Sequence, residues 1–249
     1  GVDARDNEKW GLPCGGRLQL AIQKLTVTDL SWLTQVQLAV NKRLIVKRTV
    51  QILSGVCELT KVNSFQILTK SSSSISHCFG PRHRLLLVGA GHLSACLSSL
   101  ALAMDYDVVL TDSRKWALDQ WRGPAVEKIH GLPDDVVRLC GHDEQCAVIT
   151  LSHDPRIDDM ALMEALESNA WYVGALGSQR TTEERLQRLR KLGLNTESLM
   201  KLHAPVGLSI GSKTAMEIAV AIMAELTNVR RDLSEATRHC DRLDGAKIA

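Results

Sequence analysis

A continuous apolar run that ends in a glycine-rich turn constrains the fold of this chain more than any other sequence feature. Residues 84–88 have the sequence RLLLV and are followed directly by Gly89, Ala90, Gly91 and His92. An aliphatic run without polar alternation is typical of a strand buried on both faces of a parallel sheet. Beyond the turn, apolar residues recur at helical spacing, at Leu93, Leu97, Leu100 and Met104. The sequence therefore predicts a strand, a tight turn and a buried helix in succession.

The same alternation of strands and helices continues along the chain. Further buried strands are predicted at 107–110, 147–150 and 171–173, and helices at 161–166, 183–192 and 219–233. The helix at 183–192 is expected to present a basic face formed by Arg185, Arg188 and Lys191. Strands that alternate with helices favour parallel pairing with right-handed crossovers. The predicted fold class is therefore α/β, a Rossmann-like doubly wound parallel sheet with a small N-terminal α+β domain.

The predicted domain boundaries follow from a polar stretch in the first third of the chain. Residues 71–81 are rich in serine and end in Gly80 and Pro81, a composition that suits a linker. We expect residues 1–70 to form the small domain and residues 82–249 to form the Rossmann-like domain. In the small domain a helix is predicted at 30–40 and short strands at 18–25, 50–53 and 65–68. Because the chain begins with Gly1 and not with methionine, it is expected to be either a fragment or a processed chain.

The composition argues against several classes of function. A formal net charge of +2 and an aromatic content of 4% disfavour a nucleic-acid partner. No apolar run approaches the roughly 20 residues that a membrane-spanning helix needs, so no membrane partner is expected. The seven cysteines are scattered and include no CxxC pair, which favours reduced thiols over a disulfide framework. The sequence therefore predicts a soluble, cytoplasmic protein.

The turn after the first predicted strand has the form of a nucleotide-binding turn. Gly89 would permit the tight turn, and Gly91 would let a phosphate approach the main-chain amides at the start of the helix, beside His92. Ser94 replaces the third glycine of the usual fingerprint. Asp112 follows about 20 residues farther on, where an acidic side chain would bind a ribose hydroxyl. The alternative is a scaffold that keeps this turn without a ligand.

A second glycine-rich turn follows the strand predicted at 171–173. Main-chain amides near Gly177 and Ser178, together with the guanidinium of Arg180, would form an anion cradle. Thr181 and Glu184 have the spacing of a capping box at the start of the next helix. A well-capped loop with a surface arginine is an equally good interpretation.

A third turn, in residues 204–214, contains Gly207 and Gly211 and ends in the capping pair Thr214 and Glu217. In this topology all three turns can lie at the carboxyl edge of the sheet, where open α/β sheets bind ligands. His153 follows a strand within the sequence Ser-His-Asp, and it is either a proton carrier or a structural residue. Far upstream, a thiol followed by two glycines is sterically open at Cys14, although a turn with a buried cysteine explains the same pattern.

These motifs occur together, in one order, in the XdhC/CoxI family of xanthine dehydrogenase accessory proteins, which this sequence resembles. The resemblance covers nearly all of residues 82–235. It rests on the GAGH turn at 89–92, the SHD sequence at 152–154, YVGALGS at 172–178 with Arg180, and HAPVGLSIG at 203–211. Upstream it rests only on the PCGG sequence around Cys14.

The resemblance implies a maturation factor and not a metabolic enzyme. Family members bind the molybdenum cofactor, as molybdopterin or its dinucleotide form, and protect it while a cysteine desulfurase supplies its terminal sulfur. They then deliver it to a xanthine dehydrogenase-type molybdenum hydroxylase. Cys14 would be a thiol near the molybdenum or its sulfur. The alternative is an NAD(P)-binding oxidoreductase that uses Gly89, Gly91 and Asp112 for the nucleotide and His153 for acid–base chemistry. A homodimer is compatible with both.

Overall fold

The computed structural model of the chain describes residues 20–245, with side chains up to Asp232 in the last helix. The chain divides into two compact units, residues 1–38 and 39–249. The first unit contains a 3-10 turn at Val27–Asp29 and most of helix α1, Leu30–Asn41. The carboxylate of Asp29 accepts hydrogen bonds from the Thr26 amide at 2.7 Å and the Trp32 indole at 2.8 Å, which fixes the helix start. The helix predicted at 30–40 is confirmed.

The second unit contains a four-stranded antiparallel sheet. Its strands are β1 (Ile45–Gln51), β2 (Cys57–Val62), β3 (Thr69–Lys70) and β4 (Ser74–Phe79), in the order β2-β1-β4-β3. The stretch predicted as a linker at 71–81 instead contains β4, which pairs with strands on both sides. Its serine-rich start forms the turn into this strand, closed by a 2.9 Å hydrogen bond from the Ser74 amide to the Ser71 hydroxyl. Serine content therefore marks a turn here and not a linker.

The rest of the second unit is built on a six-stranded parallel sheet. Its strands are β5 (Arg84–Val88), β6 (Asp107–Asp112), β7 (Glu127–His130), β8 (Cys146–Thr150), β9 (Tyr172–Ala175) and β10 (Leu202–His203). Their order in the sheet is β10-β9-β8-β5-β6-β7. The chain thus runs outward from β5 through β6 to β7, returns to β8, and runs outward on the other side. The strand order reverses between β5 and β8, the place where open α/β sheets form a ligand-binding crevice.

Helices cover both faces of this sheet. They are α2 (His92–Ala103), α3 (Lys115–Asp119), α4 (Pro133–Cys140), α5 (Pro155–Ala165), α6 (Gln179–Lys191), α7 (Thr196–Met200) and α8 (Ala215–Gly245). One core contains residues of α2 and α8, and the other contains residues of α4, α5 and α6. The central strands supply both cores, because Leu85 and Leu87 point to the first and Leu86 and Val88 to the second. The predicted Rossmann-like doubly wound α/β fold is confirmed.

Arg43 connects the segment before the antiparallel sheet to the amino-terminal edge of the parallel sheet. Its guanidinium forms ion pairs with Asp143 and, at 3.4 Å, with Asp107 at the start of β6. Asp107 also pairs with Arg84, the first residue of β5, at 2.8 Å. This charge cluster lies at the edge opposite to the glycine-rich turns. Within residues 20–245, no helix combines the length and apolar character needed to cross a membrane.

Candidate functional site

The turn between β5 and α2 requires glycine at its first position. Gly89 has a φ of +112°, which residues with a side chain rarely adopt. An added Cβ would also lie 2.7 Å from the main-chain N and Cα of Ser152, in the turn after β8. Ser94, which replaces the third glycine, is fully buried, and its hydroxyl donates to the Gly89 carbonyl oxygen. The turn is therefore tight and packs directly on the neighbouring turn across the point of strand-order reversal.

The N-terminus of α2 has no side-chain cap. Gly91 is the N-cap residue, and its backbone is extended, with φ −116° and ψ −177°. The amide of Ala95 makes the first helical hydrogen bond, to the Gly91 carbonyl, so the amides from His92 to Ser94 have no partner within the helix. A Cβ on Gly91 would meet no atom within 4 Å. These amides and the helix dipole favour an anion at this position.

A cleft of about 430 Å³ opens at this helix terminus. One face of α2 forms one side of it and the loop after α3 forms the other; the lining residues include Gly91, His92, Cys96, Trp121, Arg122 and Met216. The Trp121 indole donates to the Pro124 carbonyl at 2.9 Å, which fixes the loop. Arg122 is exposed and adds a positive charge to the lining. The volume falls in the range of small-molecule and cofactor sites.

Asp112 ends β6 as predicted, but its carboxylate is already occupied by protein donors. The side chain is 2% exposed and accepts hydrogen bonds from the Ala90 amide at 2.8 Å, from the Arg114 amide and Nε at 2.9 Å each, and from Arg114 Nη2 at 2.8 Å. Burial disfavours the charged carboxylate, yet these hydrogen bonds outweigh it and lower the pKa of Asp112. Asp112 therefore holds the turn and Arg114 in place, and its acceptor positions are filled without a ribose hydroxyl.

The turn after β8 places His153 beside a second, smaller cleft. His153 has a φ of +62°, and Asp154 caps α5 by accepting the Arg156 amide at 3.0 Å. The cleft has a volume of about 260 Å³, and its lining includes His153, Leu176, Gly177, Thr181, Arg185 and Arg188. His153 and Gly177 are therefore brought together, as the sheet topology predicts. Gly91 lines the other cleft, and the contact between Gly89 and Ser152 joins the two turns.

The turn after β9 caps its helix differently from the prediction. Ser178 is the N-cap residue, accepting the Thr181 amide at 3.2 Å, while the Thr181 hydroxyl oxygen accepts the Ser178 amide at 2.7 Å. The capping box is thus Ser178 with Thr181, one turn earlier than the predicted pair of Thr181 with Glu184. The Arg180 side chain is 88% exposed and pairs with Glu184 at 3.2 Å. Ser178 and Arg180 do not line the smaller cleft.

A buried ion pair that was not predicted from the sequence connects the β8 and β9 turns. Arg185 was expected on an exposed basic face, but its side chain is 6% exposed and donates to Asp158 at 3.1 Å and to the Leu176 carbonyl at 3.1 Å. Asp158 also accepts the Ser152 hydroxyl at 2.7 Å. Burial raises the pKa of Asp158. The sequence contained a sign that Arg185 is buried, because it lies four residues before Leu189, and Leu189 is buried on the same face of the helix.

The turn at 204–214 uses Gly207 for packing against α8. The Gly207 amide donates to the Glu225 carboxylate, and a Cβ on Gly207 would lie 3.2 Å from the Ile222 amide nitrogen. Glu225 also accepts the Tyr172 hydroxyl at 2.8 Å and His203 Nδ1 at 3.0 Å. Gly211 has open space around its Cα. Gly207 therefore contacts Glu225 and the main chain of α8, and its predicted part in binding the cofactor stays a prediction.

The remaining predicted features are a helix cap, a thiol and a metal ligand. The capping pair at the start of α8 is confirmed, since Glu217 accepts the Thr214 amide at 2.9 Å. Cys14, the predicted thiol and metal ligand, lies outside the described residues. Among the side chains that the structure describes, residues 20–232, there is no group of three or more histidine, cysteine or acidic residues that could hold a metal ion.

Comparison with known protein families gives a match to the XdhC Rossmann domain over residues 85–226. The chain is 31% identical over 231 residues to the molybdenum cofactor insertion chaperone PaoD of Escherichia coli, covering 88% of this chain and 61% of that protein. It is 28% identical over 152 residues to a probable xanthine dehydrogenase subunit of Bacillus subtilis, covering 61% of this chain and 44% of the relative. The chain thus spans less than two thirds of the length of both relatives.

A solved structure shares the fold. The crystal structure of a xanthine dehydrogenase from Bacillus halodurans superposes with a TM-score of 0.68 at 23% identity, covering 85% of this chain and 70% of that one. The structural similarity extends beyond residues 85–226, because the superposition covers 85% of the chain and the family match covers a smaller share.

Proposed function

We propose, since this chain belongs to the XdhC family, that it binds the molybdenum cofactor and delivers it to a xanthine dehydrogenase-type molybdenum hydroxylase in the cytoplasm. The cofactor is cargo in this proposal and not a resident catalyst. A relative that aligns with most of this chain carries the name of a molybdenum cofactor insertion chaperone, which supports the assignment.

The uncapped N-terminus of α2 carries the proposal. Molybdopterin bears a phosphate, and an anion needs donors that are not already used by the protein. The N-termini of α5, α6 and α7 are capped by side-chain oxygens of Asp154, Ser178 and Asn195. The N-cap residues of α3 and α4, Arg114 and Leu132, form no such cap but carry large side chains, whereas the N-cap residue of α2 is Gly91. The empty space at Gly91 is where a phosphate would sit. We therefore assign the phosphate to the amides of residues 91–94.

The surrounding cleft suits the rest of the cargo. Its walls combine the Trp121 ring with the imidazole of His92 and the guanidinium of Arg122, groups that pack on a flat heterocycle and balance negative charge. The smaller cleft beside His153 and Gly177 lies across the Gly89–Ser152 contact, and we propose it as the second part of the binding surface. Ser178 and Arg180 follow Gly177 in the turn after β9, and Gly211 lies in the turn at 204–214; all three are proposed to contact the cargo when it is bound.

Sulfuration belongs to the same proposal. A cysteine desulfurase would supply the terminal sulfur while the cofactor is held, and Cys14 would be the thiol nearest to the molybdenum or its sulfur. A thiolate is a suitable ligand for a soft metal–sulfur centre. This role rests on the PCGG sequence that the chain shares with the family.

An NAD(P)-dependent oxidoreductase is the competing function, because the reversal of strand order between β5 and β8 also suits a dinucleotide. The occupied carboxylate of Asp112 counts against it, since NAD binding uses an acidic side chain at this position to hold the ribose.

Co-elution separates the two functions. The purified chain is incubated with the molybdenum cofactor released from a molybdoenzyme, and separately with NAD and NADP, before gel filtration. We expect molybdenum and pterin fluorescence to elute with the protein, and the pyridine nucleotides to elute in the small-molecule volume. Retention of NAD or NADP without retention of molybdenum would overturn the proposal in favour of the oxidoreductase.

A further inference from the structure

The cleft along α2 is lined by side chains with soft donor atoms. These are the thiol of Cys96, the thioether of Met216 in the first turn of α8 and the imidazole of His92. His92 and Cys96 are four residues apart on one face of the helix, and the Cys96 Sγ lies 4.0 Å from the His92 Nε2. No described residue that lines this cleft is acidic. The cleft therefore offers polarisable sulfur and nitrogen without a carboxylate that would repel an anion.

The smaller cleft beside His153 has a different chemistry. Its lining includes the carboxylates of Asp158 and Glu184, and none of its described lining residues carries sulfur. Soft metal centres prefer thiolate and thioether surroundings, whereas carboxylate and carbonyl oxygens suit hard cations. The molybdenum of the cofactor is bound by the two sulfurs of a dithiolene, which makes it a soft centre. The two clefts are therefore not equivalent for the metal end of the cargo.

The position of Cys96 along α2 fits a cargo that is anchored by its phosphate. We assign the phosphate to the amides of residues 91–94, and Cys96 follows about 5 Å farther along the axis at a rise of 1.5 Å per residue. In molybdopterin a pyran ring separates the phosphate arm from the dithiolene. A phosphate held at the helix N-terminus thus leaves the dithiolene for the stretch of α2 that carries Cys96. The Trp121 ring, on the other side of the cleft, remains available to the pterin.

We infer that Cys96 and Met216, with His92 beside them, hold the molybdenum–dithiolene end of the cargo in the cleft along α2. This inference rests on the proposed function, and it adds the direction in which the cofactor lies. Cys96 and Met216 hold the cofactor and neither make nor break a bond in it, whereas the thiol proposed for sulfuration is Cys14.

Two molybdenum anions test the cleft without the rest of the cofactor. Tetrathiomolybdate and molybdate have the same charge and the same tetrahedral shape, but sulfur surrounds the metal in the first and oxygen in the second. Equilibrium dialysis with metal analysis gives a dissociation constant for each anion, on the wild-type chain and on Cys96→Ser and Met216→Leu. Met216 is 45% exposed, so Met216→Leu removes sulfur without disturbing the core. Ser99→Ala is the matched control, since the exposed Ser99 lines the same cleft and carries oxygen in place of sulfur.

The wild-type chain should bind tetrathiomolybdate about tenfold more tightly than molybdate, and each sulfur variant should reduce this preference by about three- to tenfold. Ser99→Ala should preserve the preference. Circular dichroism identifies the variants that are folded. Equal affinity of the wild type for the two anions, binding of neither, a preference that a folded sulfur variant leaves unchanged, or an equal loss in Ser99→Ala would overturn the inference.

Binding of the cofactor itself separates this inference from the proposed function. Met216→Leu should weaken binding of the molybdenum cofactor on gel filtration, where the wild type retains it. Retention by the wild type with undiminished affinity in Met216→Leu would place the metal end elsewhere and leave the proposed function standing. If the wild type retains no cofactor, the proposed function fails, and the two anions alone decide whether the cleft is a site for a soft metal centre.

Discussion

Gly89 and Ser152 pack main chain against main chain where the strand order reverses, with a Cβ on Gly89 placed 2.7 Å from the Ser152 nitrogen and Cα. Two turns can come this close only because one of them lacks a side chain. The contact fixes the α2 N-terminus relative to the turn that carries His153. The glycine at this position therefore determines how closely these two turns pack.

We predict that Gly89→Ala destabilises the fold by about 2–4 kcal/mol, because the backbone conformation and the contact with Ser152 both oppose a side chain. Gly193→Ala is the matched control, since Gly193 has a φ of +109° but nothing within 4 Å of its Cβ position. Urea unfolding measures both free energies. A loss in Gly89→Ala no larger than in Gly193→Ala would show that the contact with Ser152 is unimportant.

Gly91→Val should have the opposite effect: it should abolish cargo binding and leave the stability of the fold nearly unchanged. The extended backbone of Gly91 accepts a side chain without strain and nothing fills the space around it, so circular dichroism and the unfolding free energy should change little. The valine side chain would occupy the position assigned to the phosphate, and retention of the molybdenum cofactor on gel filtration should be lost. Leu132→Val places valine at the exposed N-cap position of α4 and should retain cargo. Unchanged retention in Gly91→Val would move the phosphate elsewhere.

Arg180→Ala should weaken cargo binding by about 1.5–3 kcal/mol, the loss expected for one charge-assisted hydrogen bond. The exposed pair with Glu184 is worth little, so breaking it should change the unfolding free energy by no more than about 0.5 kcal/mol. Arg190→Ala removes an exposed charge from the other end of the same helix and should leave binding unchanged. A loss of stability with unchanged affinity would assign Arg180 a structural role.

Local pattern missed the edge strands β7 and β10 but predicted the other four strands of the parallel sheet, because strands buried on both faces appear as uninterrupted aliphatic runs such as residues 85–88. It failed in the antiparallel sheet. The strand β2 alternates exposed and partly buried residues, CELTKV, and three of the six residues of β4, SISHCF, are serine or histidine, so neither has a long apolar run. Tertiary pairing with β1 determines these strands, and composition gives no sign of it.

The glycine-rich turns of the candidate site were predicted from the sequence, but the protein contacts of its charged residues were not. Glycines before helices identified the turns, since a glycine-rich strand–helix junction is a local feature. Which partner a charged side chain takes depends on contacts distant in sequence: Arg185 pairs with Asp158, 27 residues away. Asp112 was assigned to a ribose because nothing in the sequence shows that Arg114 would fold back onto it.

Glu225 should give the fold a measurable dependence on acid pH. Burial disfavours its charge, but hydrogen bonds from His203, Tyr172 and Gly207 outweigh this and lower the pKa of Glu225 below its ordinary value of 4.5. A carboxylate whose pKa is lower in the folded state than in the unfolded state stabilises the fold. This contribution is complete at pH values above the unfolded-state pKa, and it is lost as the pH falls through the folded-state pKa.

Glu225→Gln should therefore cost about 1–3 kcal/mol at pH 7, and the difference from wild type should shrink as the pH falls below about 4.5. Urea unfolding of the two proteins between pH 3 and pH 7 measures this difference directly. A difference that stays constant down to pH 3 would show that the carboxylate charge does not contribute.

Cys14→Ser should reduce activation of a client hydroxylase while leaving folding nearly unchanged, since the substitution preserves size and removes only the thiol. The thiol is followed by Gly15 and Gly16, which offer little steric shielding, and Arg17 is a nearby positive charge that would favour the thiolate. Cys140→Ser is the control, because burial raises the pKa of Cys140 to about 11 and keeps that thiol protonated and unreactive. Activity of apo-hydroxylase incubated with cofactor-loaded chain, desulfurase and cysteine gives the readout. Full activation of the client by Cys14→Ser would exclude this thiol from sulfur or molybdenum handling. A loss of client activation in Cys14→Ser but not in Cys140→Ser, with cofactor retention unchanged, would place Cys14 in the sulfuration step and not in binding.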